Sequence, residues 1–192
     1  MGREICNSHT RGENFILIFT KTDVKGAYIV ELEKIHDERG FFARSWDKKE
    51  FEMKGIDSNL VQCSISFNKL KGTLRGIHYQ KVPFEESKLV SCTKGKIFDV
   101  VIDLRPNSTS YKKWISVELT EQNQKMIFIP KGCAHGFQTL DDNTEVFYQI
   151  SEVYNPESSR GIRWNDPKFN INWPLEISNI SEKDIAYSLF KD

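Results

Sequence analysis

Short runs of β-branched and aromatic residues alternate with turn-forming residues through most of this chain, and this pattern is its strongest constraint on the fold. The turns carry the Gly, Pro, Asn and Asp residues that tight connections require, as in "TKGK" at 93–96, "RPNS" at 105–108 and "LDDN" at 140–143. Many short strands at this spacing are typical of an all-β sandwich or barrel. We predict nine strands, over residues 27–32, 60–67, 72–78, 88–92, 96–104, 113–119, 125–129, 136–140 and 145–151.

Only two segments have helical character. The first, "DKKEFEMK" at 47–54, begins with Asp47 as a plausible N-cap, and a second, shorter helix is predicted from Ser181. A chain of 192 residues fits one hydrophobic core. We therefore predict an N-terminal extension over residues 1–26, partly flexible, followed by a single mainly β domain over residues 27–192.

Charge and cysteine content exclude several functions. Lysine plus arginine and aspartate plus glutamate both number 27, so no global charge excess favours binding to nucleic acid or to an anionic membrane. The four cysteines include no CxxC pair, which argues against a zinc knuckle or a disulfide framework. The pattern favours reduced thiols in a cytoplasmic protein.

Two histidines lie within the predicted strands and turns. His78 lies in the stretch "GTLRGIHYQ" at 72–80, and His135 lies in "IPKGCAHGF" at 129–137. Each taken alone could be a metal ligand, a catalytic base or a buried side chain that hydrogen-bonds a carbonyl oxygen. The spacing P-x-G-x-x-H that ends at His135 resembles the second motif of the cupin superfamily, a double-sheet jelly roll.

A metal site is not supported by these histidines. Metal-binding cupins supply an H-x-H pair and a glutamate from their first motif, but here His78 is followed by Tyr79 and Gln80. Zinc or iron normally takes at least three protein ligands. We therefore predict no metal.

Two aspartates alternate with apolar residues in the predicted strand 96–104. Asp99 and Asp103 share one face of this strand, while the opposite face is wholly apolar. Acidic residues in this position usually lie on the solvent-exposed side of a sheet. We assign both aspartates to that side and leave them out of the site.

Six stretches of the chain, two of which contain His78 and His135, form one ordered set of motifs: "DERGFFARSW" at 37–46, "GTLRGIHYQ" at 72–80, "SKLVSCTKGKIFDVVIDLR" at 87–105, "IPKGCAHGFQTL" at 129–140, "EVFYQISEVYNPESSRGIRWNDP" at 145–167 and "SEKD" at 181–184. Together they resemble one enzyme family, the dTDP-4-dehydrorhamnose 3,5-epimerases, a group within the cupin-like jelly rolls. The resemblance implies a mainly β, double-sheet jelly-roll sandwich with few short helices. It also implies epimerisation of a nucleotide-linked 4-keto-6-deoxy sugar at C3, C5 or both, in dTDP-rhamnose-type biosynthesis, by a homodimer without a cofactor.

The resemblance implies roles for individual residues. His78 matches the general base and Asp184 the aspartate that pairs with it, while Tyr148 matches the proton donor on the opposite face of the sugar and Lys88 the lysine beside the carbonyl oxygen. Substrate-binding positions are matched by His135 in the same pocket, by Arg75 and Lys183 at the phosphates, and by Arg39 and Phe42 at the nucleotide, partly across a dimer interface.

The chemistry of epimerisation suits these residue types. A proton must leave a carbon beside a ketone and another must return from the opposite face, so a base and an acid flank the ring. Histidine, with an ordinary pKa near 6.5, suits the base, and tyrosine, with one near 10, suits the acid. Because Arg75 and His78 would point to opposite faces of an ideal strand, we predict a β-bulge at Gly76 that turns both towards the cavity.

The chain also departs from the family pattern at positions near the substrate. Arg44 stands where a glutamate is often found in "GFFxE", Gln62 and Ser64 flank Cys63 where many members read Q-D-N, and Ser159 replaces a frequent acidic residue. We assign Arg44, Gln62, Ser64 and Ser159 to the substrate site, where they bear on the choice of nucleotide and sugar. Two alternatives stay open: a nucleotide-sugar 3,4-ketoisomerase, and a metal-dependent or non-catalytic sugar-binding cupin.

Overall fold

The computed structural model describes residues 16–191, which form two β-sheets packed face to face, a small hairpin and two short helices. The elements in chain order are β1 (Leu17–Lys21), β2 (Tyr28–Leu32), β3 (Ile35–Asp37), β4 (Gly40–Phe42), α1 (Lys48–Met53), β5 (Gln62–Asn68), β6 (Thr73–Gln80), β7 (Lys88–Lys94), β8 (Lys96–Asp103), β9 (Trp114–Thr120), β10 (Met126–Ile129), β11 (Cys133–Thr139), β12 (Thr144–Ile150), β13 (Ser159–Gly161), β14 (Asn179–Ile180) and α2 (Glu182–Ile185).

The two large sheets draw their strands from distant parts of the chain. The first sheet has the order β1-β2-β10-β7-β12-β5, and the second has β13-β6-β11-β8-β9 with β14 parallel to β6. Side chains from both sheets form the core between them, including Val90 of β7, Val101 of β8, Ile127 of β10 and Phe137 of β11. The predicted mainly β, double-sheet sandwich with few short helices is confirmed.

Each of the nine predicted strands overlaps an observed strand, and both predicted helices are present. Asp47 caps α1 by accepting hydrogen bonds from the backbone N–H groups of Lys49 and Glu50, and the Ser181 hydroxyl caps α2 in the same way. Both helices could be predicted from these capping residues. A side-chain oxygen at the N-cap accepts hydrogen bonds from backbone N–H groups that have no partner within the helix.

The prediction omitted several strands. β1 pairs with β2, so the first sheet begins inside the range assigned to the N-terminal extension. The predicted flexibility of that extension falls mainly on residues before 16, outside the described residues. The hairpin of β3 and β4 and the short strands β13 and β14 were also missed, because two or three residues are too few to give an alternating pattern.

The assignment of Asp99 and Asp103 to a solvent-exposed face is wrong. Both side chains are fully buried. The apolar face of β8 is covered from outside by the C-terminal part of the chain, through residues such as Phe169 and Trp173. The aspartates therefore point into the sandwich, on the same face of β8 as the core residues Ile97 and Val101. The strand pattern could not reveal that a segment distant in sequence covers its apolar side.

Asp103 has a structural role at the end of β8. Its carboxylate accepts two hydrogen bonds from the Arg105 guanidinium, each 2.8 Å, and further ones from the Arg105 backbone N–H and the hydroxyls of Ser108 and Ser110. Burial by itself raises the pKa of Asp103, but these donors outweigh it and lower the pKa to about 2. The charged form is thus stabilised by folding.

Replacing Asp103 with asparagine is expected to lower the free energy of unfolding at neutral pH by about 2 to 4 kcal/mol, because Arg105 loses its buried partner. A pKa lowered by folding gives stability above the unfolded value of 3.8, and this stability is lost as the pH falls towards about 2. The difference between wild type and variant should therefore shrink from pH 4 downwards in urea titrations. Asp23→Asn, at an exposed position, is the control. A difference in the free energy of unfolding between wild type and Asp103→Asn that stays constant from pH 4 downwards would contradict the account.

Candidate active site

His78 and Asp184 form a hydrogen-bonded pair between the second sheet and α2. His78 lies on β6 and Asp184 on α2, and His78 Nε2 is 2.7 Å from Asp184 Oδ1. The other carboxylate oxygen accepts the backbone N–H of Gly76. Burial raises the pKa of Asp184, but the hydrogen bonds from His78, Gly76 and Ser181 prevail and lower it. The histidine side chain is 38% exposed and the aspartate 6%, so an ionised, buried carboxylate orients an accessible imidazole.

His135 and Asp99 form a second pair beside the first. His135 lies directly opposite His78 in the ladder between β11 and β6, and its Nε2 is 2.8 Å from Asp99 Oδ2. Both side chains are buried. Burial raises the pKa of Asp99, and the charges of His135 and Lys88 oppose that rise. Asp99 therefore belongs to the candidate site, although the sequence analysis left it out.

Tyr148 approaches the two pairs from the first sheet. It lies on β12, and its ring meets the imidazole of His135 edge to face, with the ring centroids 6.1 Å apart. Burial is the main cause that raises the pKa of its hydroxyl, and the charge of Asp99 adds to it. Arg75 and a hydrogen bond with Ser66 oppose the rise without cancelling it. The phenol is therefore held in its protonated form.

Lys88 supplies a cation from the same sheet as Tyr148. It lies on β7 in register with Ile150 of β12, and its Nζ is 2.8 Å from Glu86 Oε1. The ammonium also interacts with the charge of Asp99 across the sandwich. Glu86 could not be predicted as a site residue, because nothing in the polar loop "PFEES" distinguishes it from a solvated surface charge.

A bulge in β6 brings Arg75 and His78 to the same region, as predicted at Gly76. Arg75 lies opposite Phe137 and His78 opposite His135, so three steps along β6 match two along β11. The Arg75 guanidinium donates a 2.6 Å hydrogen bond from Nε to Asn68 Oδ1 on β5, and its charge reaches Tyr148.

Gly76→Ala is expected to destabilise the protein by about 3 to 5 kcal/mol. Gly76 has φ +127°, and an added Cβ would lie 2.6 Å from the Cα of Gly136 in the adjacent strand. Gly40 has a similar φ of +132° with no neighbouring atom within 4 Å of a Cβ. Gly40→Ala is therefore the matched control, with an expected loss of about 1 to 2 kcal/mol. Equal losses for the two variants in denaturant titrations would show that close backbone packing at the bulge is unimportant.

Three predicted nucleotide-binding residues lie apart from this cluster. Arg39 and Phe42 belong to the hairpin of β3 and β4, where Arg39 is 89% exposed and pairs with Asp37, and Phe42 is 63% exposed. Arg44 pairs with Asp47 at the start of α1. Within the described residues the hairpin of β3 and β4 forms a two-stranded sheet of its own.

The other predicted binding residues flank the cluster. Ser64 lies opposite Tyr148 in the ladder between β5 and β12, and the Gln62 side chain accepts the backbone N–H of Tyr154. Ser159 on β13 lies opposite Gln80 at the end of β6.

Lys183 precedes Asp184 on α2 and lies close to Tyr154 and Tyr187. Burial lowers the pKa of Lys183, but the neighbouring Tyr187, Tyr154 and Asp184 outweigh it and raise the pKa. A cation is thus maintained beside the His78–Asp184 pair.

Residues 16–191 contain no group of three or more His, Cys, Asp or Glu side chains that could hold a metal ion. Each of the two strand histidines instead pairs with an aspartate. In the same part of the chain, the helices are too short and polar to cross a membrane.

Known proteins closely resemble this chain. A family model described as dTDP-4-dehydrorhamnose 3,5-epimerase matches residues 21–192. The epimerase of that name from Methanothermobacter thermautotrophicus is 43% identical over 169 residues, which cover 86% of this chain and 90% of that protein. The crystal structure of dTDP-4-dehydrorhamnose 3,5-epimerase from Bacillus anthracis with TDP and PPi bound is 36% identical, with a TM-score of 0.88, and covers 91% of this chain and 100% of that one.

A third relative was solved with a sugar nucleotide. The dTDP-6-deoxy-D-glucose-3,5-epimerase RmlC from Legionella pneumophila, in complex with dTDP-4-keto-L-rhamnose, is 38% identical with a TM-score of 0.84, covering 91% of this chain and 93% of that one. A two-sheet sandwich with histidine–aspartate pairs between its sheets, so similar to these structures, is a cupin-like jelly roll. Within that class, the chain belongs to the dTDP-4-dehydrorhamnose 3,5-epimerase family, whose members are isomerases. The resemblance inferred from sequence motifs is confirmed.

Proposed function

We propose that this protein converts dTDP-4-dehydro-6-deoxyglucose into dTDP-4-dehydrorhamnose by inverting C3 and C5, in the biosynthesis of a dTDP-rhamnose-type sugar. The main support for the proposal is that an oriented base, His78, and a protonated acid, Tyr148, lie on opposite sheets. His78, paired with Asp184, lies on the second sheet, and Tyr148 of the first sheet packs against His135, which is opposite His78 on the adjacent strand. Family membership supports the choice of substrate.

His78 is the base in this proposal. The ketone at C4 acidifies the hydrogens on C3 and C5, and a neutral imidazole can accept either one. Because Asp184 holds Nε2, the proton goes to Nδ1. Asp184 fixes the tautomer beforehand and stabilises the imidazolium afterwards, as an ionised carboxylate in this position does in other enzymes.

Lys88 stabilises the charge that develops on the C4 oxygen. Removing the proton converts the ketone into an enolate, and a cation already in place lowers the cost of that charge without reorganisation. Lys88 is largely shielded from water, so its interaction with the oxygen is weakly screened. The second pair, His135 with Asp99, places further polar groups beside Tyr148.

Tyr148 returns a proton to the opposite face of the carbanion. Its raised pKa keeps the phenol protonated until the enolate forms. After each cycle, solvent restores the tyrosine proton and removes the one on His78, so that the same pair can then invert the second carbon. Arg75 and Lys183 hold the nucleotide's phosphates as charged donors, with Arg75 aligned by Asn68.

The active form is proposed to be a homodimer in which the hairpin of one chain reaches the nucleotide of its partner, through Arg39, Phe42 and Arg44. β5 is an edge strand of the first sheet, and its Ile65 side chain is 64% exposed. Long exposed strand edges and apolar side chains are usually covered by another chain. Gln62, Ser64 and Ser159 complete the substrate site from β5 and β13.

Sedimentation equilibrium tests the dimer. Twice the mass of one chain is expected, and Phe42→Ala should raise the KM for the nucleotide sugar by about threefold or more, since an exposed aromatic side chain would lose its contact with the base. A monomer with full activity, or an unchanged KM in the variant, would contradict the proposed contribution of the partner.

Turnover of dTDP-4-dehydro-6-deoxyglucose, followed by proton NMR, tests the reaction. The expected product is dTDP-4-dehydrorhamnose, with both C3 and C5 inverted. A 3-keto sugar would indicate the ketoisomerase instead. Unchanged sugar in the presence of a bound transition metal would favour the metal-dependent or sugar-binding cupin.

A further inference from the structure

Glu86 lies between the lysine of the site and a buried glutamine. Its Oε1 is 2.8 Å from Lys88 Nζ, and its Oε2 accepts a 3.1 Å hydrogen bond from Gln80 Nε2. The Lys88 and Glu86 side chains are 12% and 11% exposed. Both oxygens of the shielded Glu86 carboxylate therefore have a partner, one the Lys88 ammonium and the other the Gln80 amide.

Gln80 is itself held in a single orientation. Its amide nitrogen also donates to the carbonyl oxygens of Phe84 and Val153, and its Oε1 accepts the backbone N–H of Asn155 at 2.6 Å. Gln80 is buried, and it follows His78 by two positions on β6, the strand of the proposed base. The chain of contacts from Gln80 through Glu86 to Lys88 thus connects the strand of the base to the opposite sheet.

We propose that Glu86 is a positioning residue that fixes the ammonium of Lys88 where the C4 oxygen of the sugar becomes charged. A lysine side chain has four rotatable carbon–carbon bonds and three N–H donors, so its position depends on its partners. Glu86 occupies one donor and leaves the others for the substrate. This inference rests on the proposed function, since it concerns how Lys88 stabilises the enolate.

The structure also indicates what the ammonium does without Glu86. The other carboxylate whose charge reaches Lys88 is Asp99, in the second histidine pair. Asp99 Oδ1 is buried and has no hydrogen-bond partner among the described residues. With Glu86 neutralised, the ammonium is drawn towards this oxygen. If the Lys88 ammonium must first move away from Asp99, it stabilises the enolate less, because it is no longer held beside the C4 oxygen before the reaction.

Glu86→Gln tests the proposal, with Glu85→Gln as the matched control on the adjacent residue. Glu86→Gln is expected to lower kcat by about 10- to 100-fold while KM changes by less than about threefold, because the lost interaction is made in the transition state. Glu85→Gln should leave both constants within about twofold. A loss confined to KM, or wild-type kcat in Glu86→Gln, would overturn the proposal.

A double-mutant cycle with Lys88→Met separates positioning from a general structural role. If Glu86 acts through Lys88, adding Glu86→Gln to Lys88→Met should change kcat by less than about twofold. A further 10-fold loss in that background would show that Glu86 acts by another route. Should Glu86→Gln fail to give a folded protein by circular dichroism, Glu86→Asp serves instead: it should lower kcat severalfold in wild type and have no effect on Lys88→Met.

The wild-type protein separates this inference from the proposed function. If wild type does not convert the sugar nucleotide, the proposed function fails. If wild type is active and Glu86→Gln matches it, only the role of Glu86 fails.

Discussion

Replacing His78 with alanine is expected to lower kcat for epimerisation by about 1,000-fold or more, with little change in KM. A positioned general base contributes about 100- to 10,000-fold, and here the variant also leaves the Asp184 carboxylate buried without its histidine partner. The neighbouring His135 is not expected to replace it, because its side chain is only 5% exposed whereas that of His78 is 38% exposed. Steady-state kinetics with the dTDP-4-keto sugar would measure the change.

His36→Ala is the control for this variant. His36 is exposed on the hairpin and packs against Phe41, and it has no proposed part in the reaction. Its kcat should stay within about threefold of wild type. If His78→Ala keeps more than a tenth of the wild-type kcat while remaining folded, His78 is not the base.

Tyr148→Phe is expected to separate proton removal from inversion. The variant keeps the partly buried ring against His135 but loses the hydroxyl that reprotonates the carbanion. Formation of the inverted product should fall by about 100-fold or more. His78 and Lys88 are intact, so the variant should still form the enolate and return a proton to the original face. In deuterated water, the recovered substrate should therefore gain deuterium without inversion.

Mass spectrometry and proton NMR of the recovered sugar nucleotide measure both outcomes. Tyr28→Phe, which alters a half-buried tyrosine in a separate cluster of the first sheet, is the control and should behave as wild type. Inversion at the wild-type rate in Tyr148→Phe would exclude the tyrosine as the acid. Loss of both deuterium exchange and inversion would instead show that Tyr148 takes part in proton removal.

The sheets were predictable because their signals are local. Strands such as β7 and β12 alternate side chains with a period of two and end in recognisable turn residues, which depend on the backbone alone. The bulge at Gly76 could also be inferred, because two functional side chains three positions apart cannot share a face of a regular strand.

The missed site residues depend on contacts between distant segments. Asp99 is buried because residues near the C-terminus cover the outer face of β8, and no pattern within β8 encodes that cover. Glu86 becomes a partner of Lys88 only when Gln80 holds the intervening loop. For the same reason, the contribution of Arg39 and Phe42 to the substrate site stays a prediction, since it requires a second chain.

Deuterium incorporation during turnover by wild type, compared with His78→Ala, tests the central claim most directly. Both proteins would be incubated with dTDP-4-dehydro-6-deoxyglucose in deuterated water, and deuterium at C3 and C5 would be quantified by proton NMR. We predict deuterium at both carbons of the inverted product with wild type, and incorporation at least about 1,000 times slower with His78→Ala. Inverted product without solvent deuterium at either carbon, or equal incorporation by the two proteins, would contradict proton abstraction by His78.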